Sequence, residues 1–351
     1  MTDTLPHQSA PNATDAAHPS RLGWRVWWRV ARRVMQQADE RNLGLVSAGV
    51  AFYALLSIFP GLAAIIALWG YVADPVMIAQ QMSIAEQFLP SEAFAILNDQ
   101  VSVLVAANNS ALQVTSLVSL LLAIWTARNG IAALIRGLNS IYSQKHRRNP
   151  LRRFAVAIFL TVLLILVGVF AFACIVILPA MLAFLAIPAL TEMIIAAVKW
   201  VVVLLVVFFG ICLLYRYGPN RRGARVPWLT PGAVLALVLW AAGSAVFTIY
   251  LRNFGSFNEV YGSLGAVVAL LFWLYLSAYV VLLGAQVNAE LELSTTHDTT
   301  VGASAPPGRR QAWVADHVRD ADGTARLAND SGEEPGDGPH PETLAGPDKK
   351  S

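Results

Sequence analysis

Long apolar runs broken by short polar stretches organise this chain. Charged residues are absent from 42–73, 100–127, 154–191, 226–251 and 260–289, and Lys199 is the only charge within 193–215. A membrane-spanning helix needs about 20 predominantly apolar residues. The pattern therefore predicts six spans, at 44–71, 112–136, 154–182, 193–215, 229–251 and 264–288. Pro179 and Pro188 interrupt the end of the long third run, which is read as one crossing followed by a loop. The expected fold is all-α: a polytopic membrane domain over 42–292.

The polar stretches separate by charge. Lys and Arg crowd 21–41, 145–153 and 216–225, whereas no Lys or Arg lies between Arg41 and Arg128. Basic loops face the cytoplasm, so both termini are expected inside. Residues 1–20 contain no apolar run, and the first span is expected to be retained. Both 1–20 and 293–351 are poor in large apolar residues, so a disordered N-terminus and a disordered cytoplasmic tail are expected. Between spans one and two, Met77, Ile78, Met82, Ala85 and Phe88, then Phe94, Leu97, Val101, Leu104 and Val105, recur at helical spacing. They predict two amphipathic helices on the outer side, where they would form a lid over helix ends.

Residues 21–41 predict an amphipathic helix. At 100° per residue, Trp24, Trp27, Trp28, Val30, Ala31, Val34 and Met35 share one face, and Arg21, Arg25, Arg29, Arg32 and Arg33 lie opposite. Such a helix lies in the membrane interface, its arginines drawn to anionic lipid. Tryptophans interleaved on one face beside a span favour lipid over nucleic acid as partner. The bland alternative is simple anchoring.

Polar residues inside the spans gather on two helices. In span two, Arg128, Asn129, Ala132, Arg136 and Asn139 fall within one arc; in span six, Tyr275, Tyr279, Gln286 and Glu290 do the same. An intramembrane charge is costly and turns towards protein, water or headgroups. Glu290 is the natural counter-ion for Arg128 or Arg136, which predicts spans two and six facing each other around a ligand site open to the cytoplasmic half. A purely structural ion pair carries nearly equal weight. In span one, Gly44, Ser47, Ala48, Ala51 and Ala54 form a small-residue strip that admits a neighbouring helix.

Composition agrees with the pattern: 56% of the 351 residues are hydrophobic and 13% charged, against about a quarter charged in soluble domains. Cys174 and Cys212, the only cysteines, form no C-x-x-C motif. The six histidines lie outside the spans, and no H-E-x-x-H, G-x-S-x-G or Walker loop is present. Neither a metal nor a cofactor is expected, and no catalytic role is assigned to any residue.

Four segments carry a family likeness: LVSAGVAFYALLSIFPGLAAIIALWGYV, IWTARNGIAALIRGLNSIY, LYRYGPNRR and YGSLGAVVALLFWLYLSAYVVLLGAQVNAELE. In this order they resemble the YihY/BrkB family of bacterial inner-membrane proteins, over roughly residues 25–292. The resemblance implies six spans with amphipathic helices on the periplasmic side. The family has carried the label ribonuclease BN and a name that refers to virulence, but no nuclease site can be assembled from these residues. The expectation is a non-enzymatic transporter or lipid-handling protein of envelope maintenance, with an anionic ligand. A membrane scaffold that recruits partners is the alternative, and a ribonuclease the third.

Overall fold

The computed structural model describes residues 16–72, 109–144, 150–174, 189–253, 263–319 and 324–328. A 3-10 turn, Pro19–Arg21, leads into α1 (Trp24–Glu40) and six long helices: α2 (Leu43–Val72), α3 (Asn109–Ile141), α4 (Pro150–Phe172), α5 (Ala189–Tyr217), α6 (Val226–Asn253) and α7 (Ser263–Glu292). All six are long and apolar enough to cross a membrane. Each packs on the next, and α7 returns to α2 and α3. The two helices expected between spans one and two, Pro179, Pro188, residues 1–15 and the chain beyond 328 lie outside the described residues.

Local chemistry sets the joints. Asn42 ends α1 in the left-handed region at φ 52°, which a short polar side chain tolerates. Its carbonyl accepts from the Val46 N–H, so α2 starts at once. Ser143 ends α3 in the same way at φ 51°, and the Gln144 N–H closes onto the Asn139 carbonyl at 2.8 Å. Helices α3 and α7 run about one turn past the apolar runs that predict them, because polar side chains beyond the runs still find partners at the helix ends.

Full burial gathers at one end. Among the described residues of the six long helices, buried positions fall only at 43–51, 130–141, 157–161, 203–215, 228–236 and 278–292. Because successive helices alternate in direction, these stretches share a level. It is also the level of α1, the arginine-rich 218–225 loop and the end of α7, and is called the basic end below.

The expectation of a disordered tail from 293 fails over 293–319 and 324–328. This segment folds against the basic end and includes α8 (Trp313–Asp316) and a hairpin of β1 (His317–Arg319) and β2 (Ala325–Leu327). Polar side chains do what large apolar ones would do elsewhere. Asp298 accepts the N–H groups of Thr300 and Ala305, Asp316 accepts those of Gly308 and Arg310, and the Arg310 guanidinium donates to the carbonyls of Ala305, Ala315 and Thr296. The segment also pairs with the loop before α6: Arg225 N–H donates to Thr299, and Val301 N–H to Gly223. Composition alone misses an ordering of this kind, since it counts apolar mass and not hydrogen bonds to backbone.

Candidate functional site

On α7, Tyr275, Tyr279, Gln286 and Glu290 share a face, and that face meets α1 and the start of α2. A Cβ on Gly44 would lie 3.3 Å from the Tyr275 hydroxyl, and the Tyr275 and Tyr279 rings stack 6.1 Å apart. Gln286, fully buried, donates to Gln37 of α1 at 2.8 Å; Gln37 also accepts from the Arg41 guanidinium at 3.2 Å. Arg41 in turn donates to the carbonyls of Ser140 and Ile141, capping α3. Glu290 accepts from Arg319 of β1 at 2.9 Å, with Arg41 and Arg33 near enough to act on its charge.

The expected partnership of Glu290 with Arg128 or Arg136 is therefore replaced by one with the tail. Arg136 is exposed. Arg128 lies against α4, its guanidinium 4.7 Å from the Phe154 ring centre and 3.0 Å from the Asn129 carboxamide oxygen to which it donates. Asn139 accepts the Asn220 N–H at 2.7 Å and pins the loop after α5. The cause is glycine. Gly130 and Gly137 lie roughly 130–150° round α3 from the centre of the polar arc, and there α2 and α7 approach so closely that a Cβ on Gly137 would sit 2.9 Å from Val46 and 3.0 Å from Leu282. The close-packing side turns to α2 and α7, which leaves the polar arc facing the other way.

The strongest polar contact was not among the expected site residues. Arg221 and Glu292 form a bidentate pair, 2.8 Å at both oxygens, with neither side chain exposed. The Tyr142 ring lies 3.9 Å from the guanidinium, and Thr299 donates to Glu292 at 2.8 Å. Burial works against the Arg221 charge, but the adjacent carboxylate outweighs it and holds the pKa above its ordinary value. Beside this pair, Asn288 accepts the Gly232 N–H at 2.8 Å and donates to the Leu229 carbonyl at 3.0 Å, and the Tyr215 hydroxyl donates to the Val281 carbonyl at 2.6 Å. The available signal was the recurrence of polar residues in LYRYGPNRR and QVNAELE at facing ends of two spans.

Helix α1 presents three faces where two were expected. Val26, Val30, Val34 and Ala38 are buried against the bundle, with Trp27 packed beside them. Trp24, Trp28 and Met35 point outwards, 78%, 67% and 70% exposed. Arg25, Arg29, Arg32 and Arg33 occupy the third side, Arg25 and Arg32 exposed and the other two half-buried. The single apolar face read from the sequence divides because the bundle claims one edge of it.

Away from the basic end, α6 and α7 line an apolar groove of about 1400 Å³ with residues of 239–251 and 265–283. Among the described residues, no group of three or more His, Cys, Asp or Glu could hold a metal.

These features define a six-span, all-helical membrane protein with its polar contacts gathered at one end. The chain belongs to the YihY/BrkB family: the family described as Virulence factor BrkB matches residues 34–308. It is also similar to YfkH of Bacillus subtilis (strain 168), named as ribonuclease-like, with 30% identity over 253 residues, 70% of this chain and 88% of that protein. Shorter stretches match UPF0761 membrane proteins of Idiomarina loihiensis (33% identity, 27% of this chain and 33% of that one) and Tolumonas auensis (40%, 23% and 27%). No solved structure matches. The protein is a multi-pass inner-membrane protein.

Proposed function

We propose that this chain is a non-enzymatic transporter or lipid-handling protein of the cell envelope, with both termini in the cytoplasm. One observation carries the reading: among the described residues the six spans bury side chains together at the basic end, while α6 and α7 line a large apolar groove in the opposite half. By the positive-inside rule the packed, arginine-rich end is cytoplasmic, so the groove lies in the periplasmic half. The three-sided α1 supports contact with anionic headgroups, through Arg25 and Arg32 next to the outward Trp24 and Trp28. An anionic ligand is supported by Arg128, which among the described residues has no carboxylate partner and whose Nε is buried without a hydrogen bond.

The test is native mass spectrometry of the detergent-purified protein beside Arg128→Ala. An anionic ligand retained by wild type and lost from the folded variant is the expected result. Equal retention removes Arg128 from the site. A scaffold reading is favoured by the folded tail, which adds surface to the basic end; it predicts a co-purifying protein partner and no ligand. The ribonuclease-like name of YfkH adds a third reading, which predicts RNA cleavage by contaminant-free protein.

A further inference from the structure

We infer that the α6–α7 groove is a binding site for an acyl chain of a membrane phospholipid, entered sideways from the bilayer. The inference rests on the lipid-handling reading above and narrows its ligand.

The groove is built, and does not result merely from loose packing. At the basic end, α6 and α7 touch backbone to backbone at Gly232 and Gly284, where a side chain on either glycine would collide with the other's carbonyl. Further along, a Cβ on Gly243 would sit 2.9 Å from Leu276. At this level two indoles tie the helices together: Trp240 donates to Ser277 at 3.1 Å and Trp273 to Ser244 at 3.3 Å. These ties fix the spacing of the walls. They also satisfy both indole N–H groups, leaving the space lined by side chains such as Leu239, Val246, Phe247, Phe272 and Leu283.

The lining selects the occupant. No described lining residue is charged, and the tyrosine hydroxyls of Tyr250 and Tyr279 are its main remaining polar side-chain groups. An ion or a sugar would lose its hydration there without recovering hydrogen bonds, whereas a hydrocarbon chain loses nothing. At about 1400 Å³ the space exceeds the roughly 300–1,000 Å³ typical of small-molecule pockets. Its α6 wall, residues 239–251, runs about 18 Å at ~1.5 Å per residue, close to one leaflet of a ~30 Å hydrocarbon core. That depth suits a phospholipid chain and is too short for a spanning helix of a second copy. The rim continues into the outward surface of the spans, with Val246, Val268 and Phe272 67%, 58% and 54% exposed, so the entrance opens onto lipid.

The test reconstitutes the full chain in proteoliposomes of phosphatidylethanolamine and phosphatidylglycerol containing a phospholipid with a diazirine in mid-chain. After irradiation, labelled peptides are mapped. The expected result is saturable labelling of 239–251 and 265–283, lost in Ala242→Trp and Ala269→Trp, while labelling of the outward face of α5 rises in proportion to probe and is unchanged by either substitution. Should one filled variant misfold, Val246→Trp provides the same readout. Labelling of α6 and α7 that is proportional to probe and indifferent to filling overturns the proposal, as ordinary boundary lipid. Displacement of the label by an isoprenyl phosphate but not by equal unlabelled phospholipid, or crosslinks between two copies through the groove, also overturns it. Saturable labelling without transbilayer lipid movement in the same vesicles contradicts transport and leaves the groove standing; loss of the groove label with an anionic ligand still retained through Arg128 does the reverse.

Discussion

The two halves of the membrane domain use the same kind of helix to different ends. In the basic half the spans touch at glycines, and a layer of hydrogen-bonded polar groups, Arg221, Glu292, Asn288, Asn139 and Gln286, links three spans to α1 and the tail. In the other half no described residue of any span is buried, and apolar side chains face outwards or into the groove. Apolar contact alone gives little reason for helices to associate in lipid, where hydrocarbon is the surrounding medium; close packing and polar contacts supply that reason. The polar layer therefore defines where the bundle is held most tightly; beyond it two indole–serine bonds join α6 to α7 beside a groove that is free to bind something else.

Breaking the Arg221–Glu292 pair should have the largest effect. Arg221→Ala leaves a buried carboxylate, a loss of about 3–5 kcal/mol by analogy with other buried pairs, visible as a lower melting temperature in detergent. Arg221→Met with Glu292→Leu removes both charges and should recover most of that loss. Gly284→Val comes next: its side chain would meet the Gly232 carbonyl, and even a Cβ would lie 2.6 Å from the Tyr215 hydroxyl. Overpacking of this kind costs about 1–3 kcal/mol, and thermal melting should show it. Arg319→Ala should cost less, because Glu290, left without its closest partner, still has Arg41 and Arg33 beside it; limited proteolysis should then cut the tail faster while the spans stay protected.

The smallest effect should be that of acid on the tail. Burial alone would raise the Asp298 pKa, but the Ala305 and Thr300 N–H groups, the Thr300 hydroxyl and nearby Arg310 hold it below the ordinary value. A lowered carboxylate pKa stabilises the fold above the unfolded value of about 3.9 and loses that contribution as pH falls through the folded value. Proteolysis of 298–316 should thus be unchanged from neutral pH down to about 3.9 and increase as pH falls from there through the lower folded value. Asp298→Asn should remove the acid step.

The six spans were legible because each needs only an apolar run of sufficient length, which one sequence displays. The face shared by Tyr275, Tyr279, Gln286 and Glu290 was legible from helical spacing as well. Its partner was not. Charge complementarity pointed Glu290 at Arg128, whereas the glycines at 130 and 137 turn that side of α3 away from α7. Arg319, the partner that Glu290 has, lies in a segment whose composition reads as disordered, and its order comes from Asp298, Arg310 and Asp316 bonding to backbone. Arg221 counted only towards topology, since a loop arginine carries no mark of burial until the helix ends around it are in place.

A tryptophan scan of α6 and α7, read as the melting temperature of each purified variant, tests the division between a held half and a free half most directly. The account predicts large losses at 228–236 and 278–292 and at the tie positions Gly243, Ser244, Leu276 and Ser277, and near-wild-type melting at the other positions of 239–251 and 265–277. Losses spread evenly along both helices would contradict it.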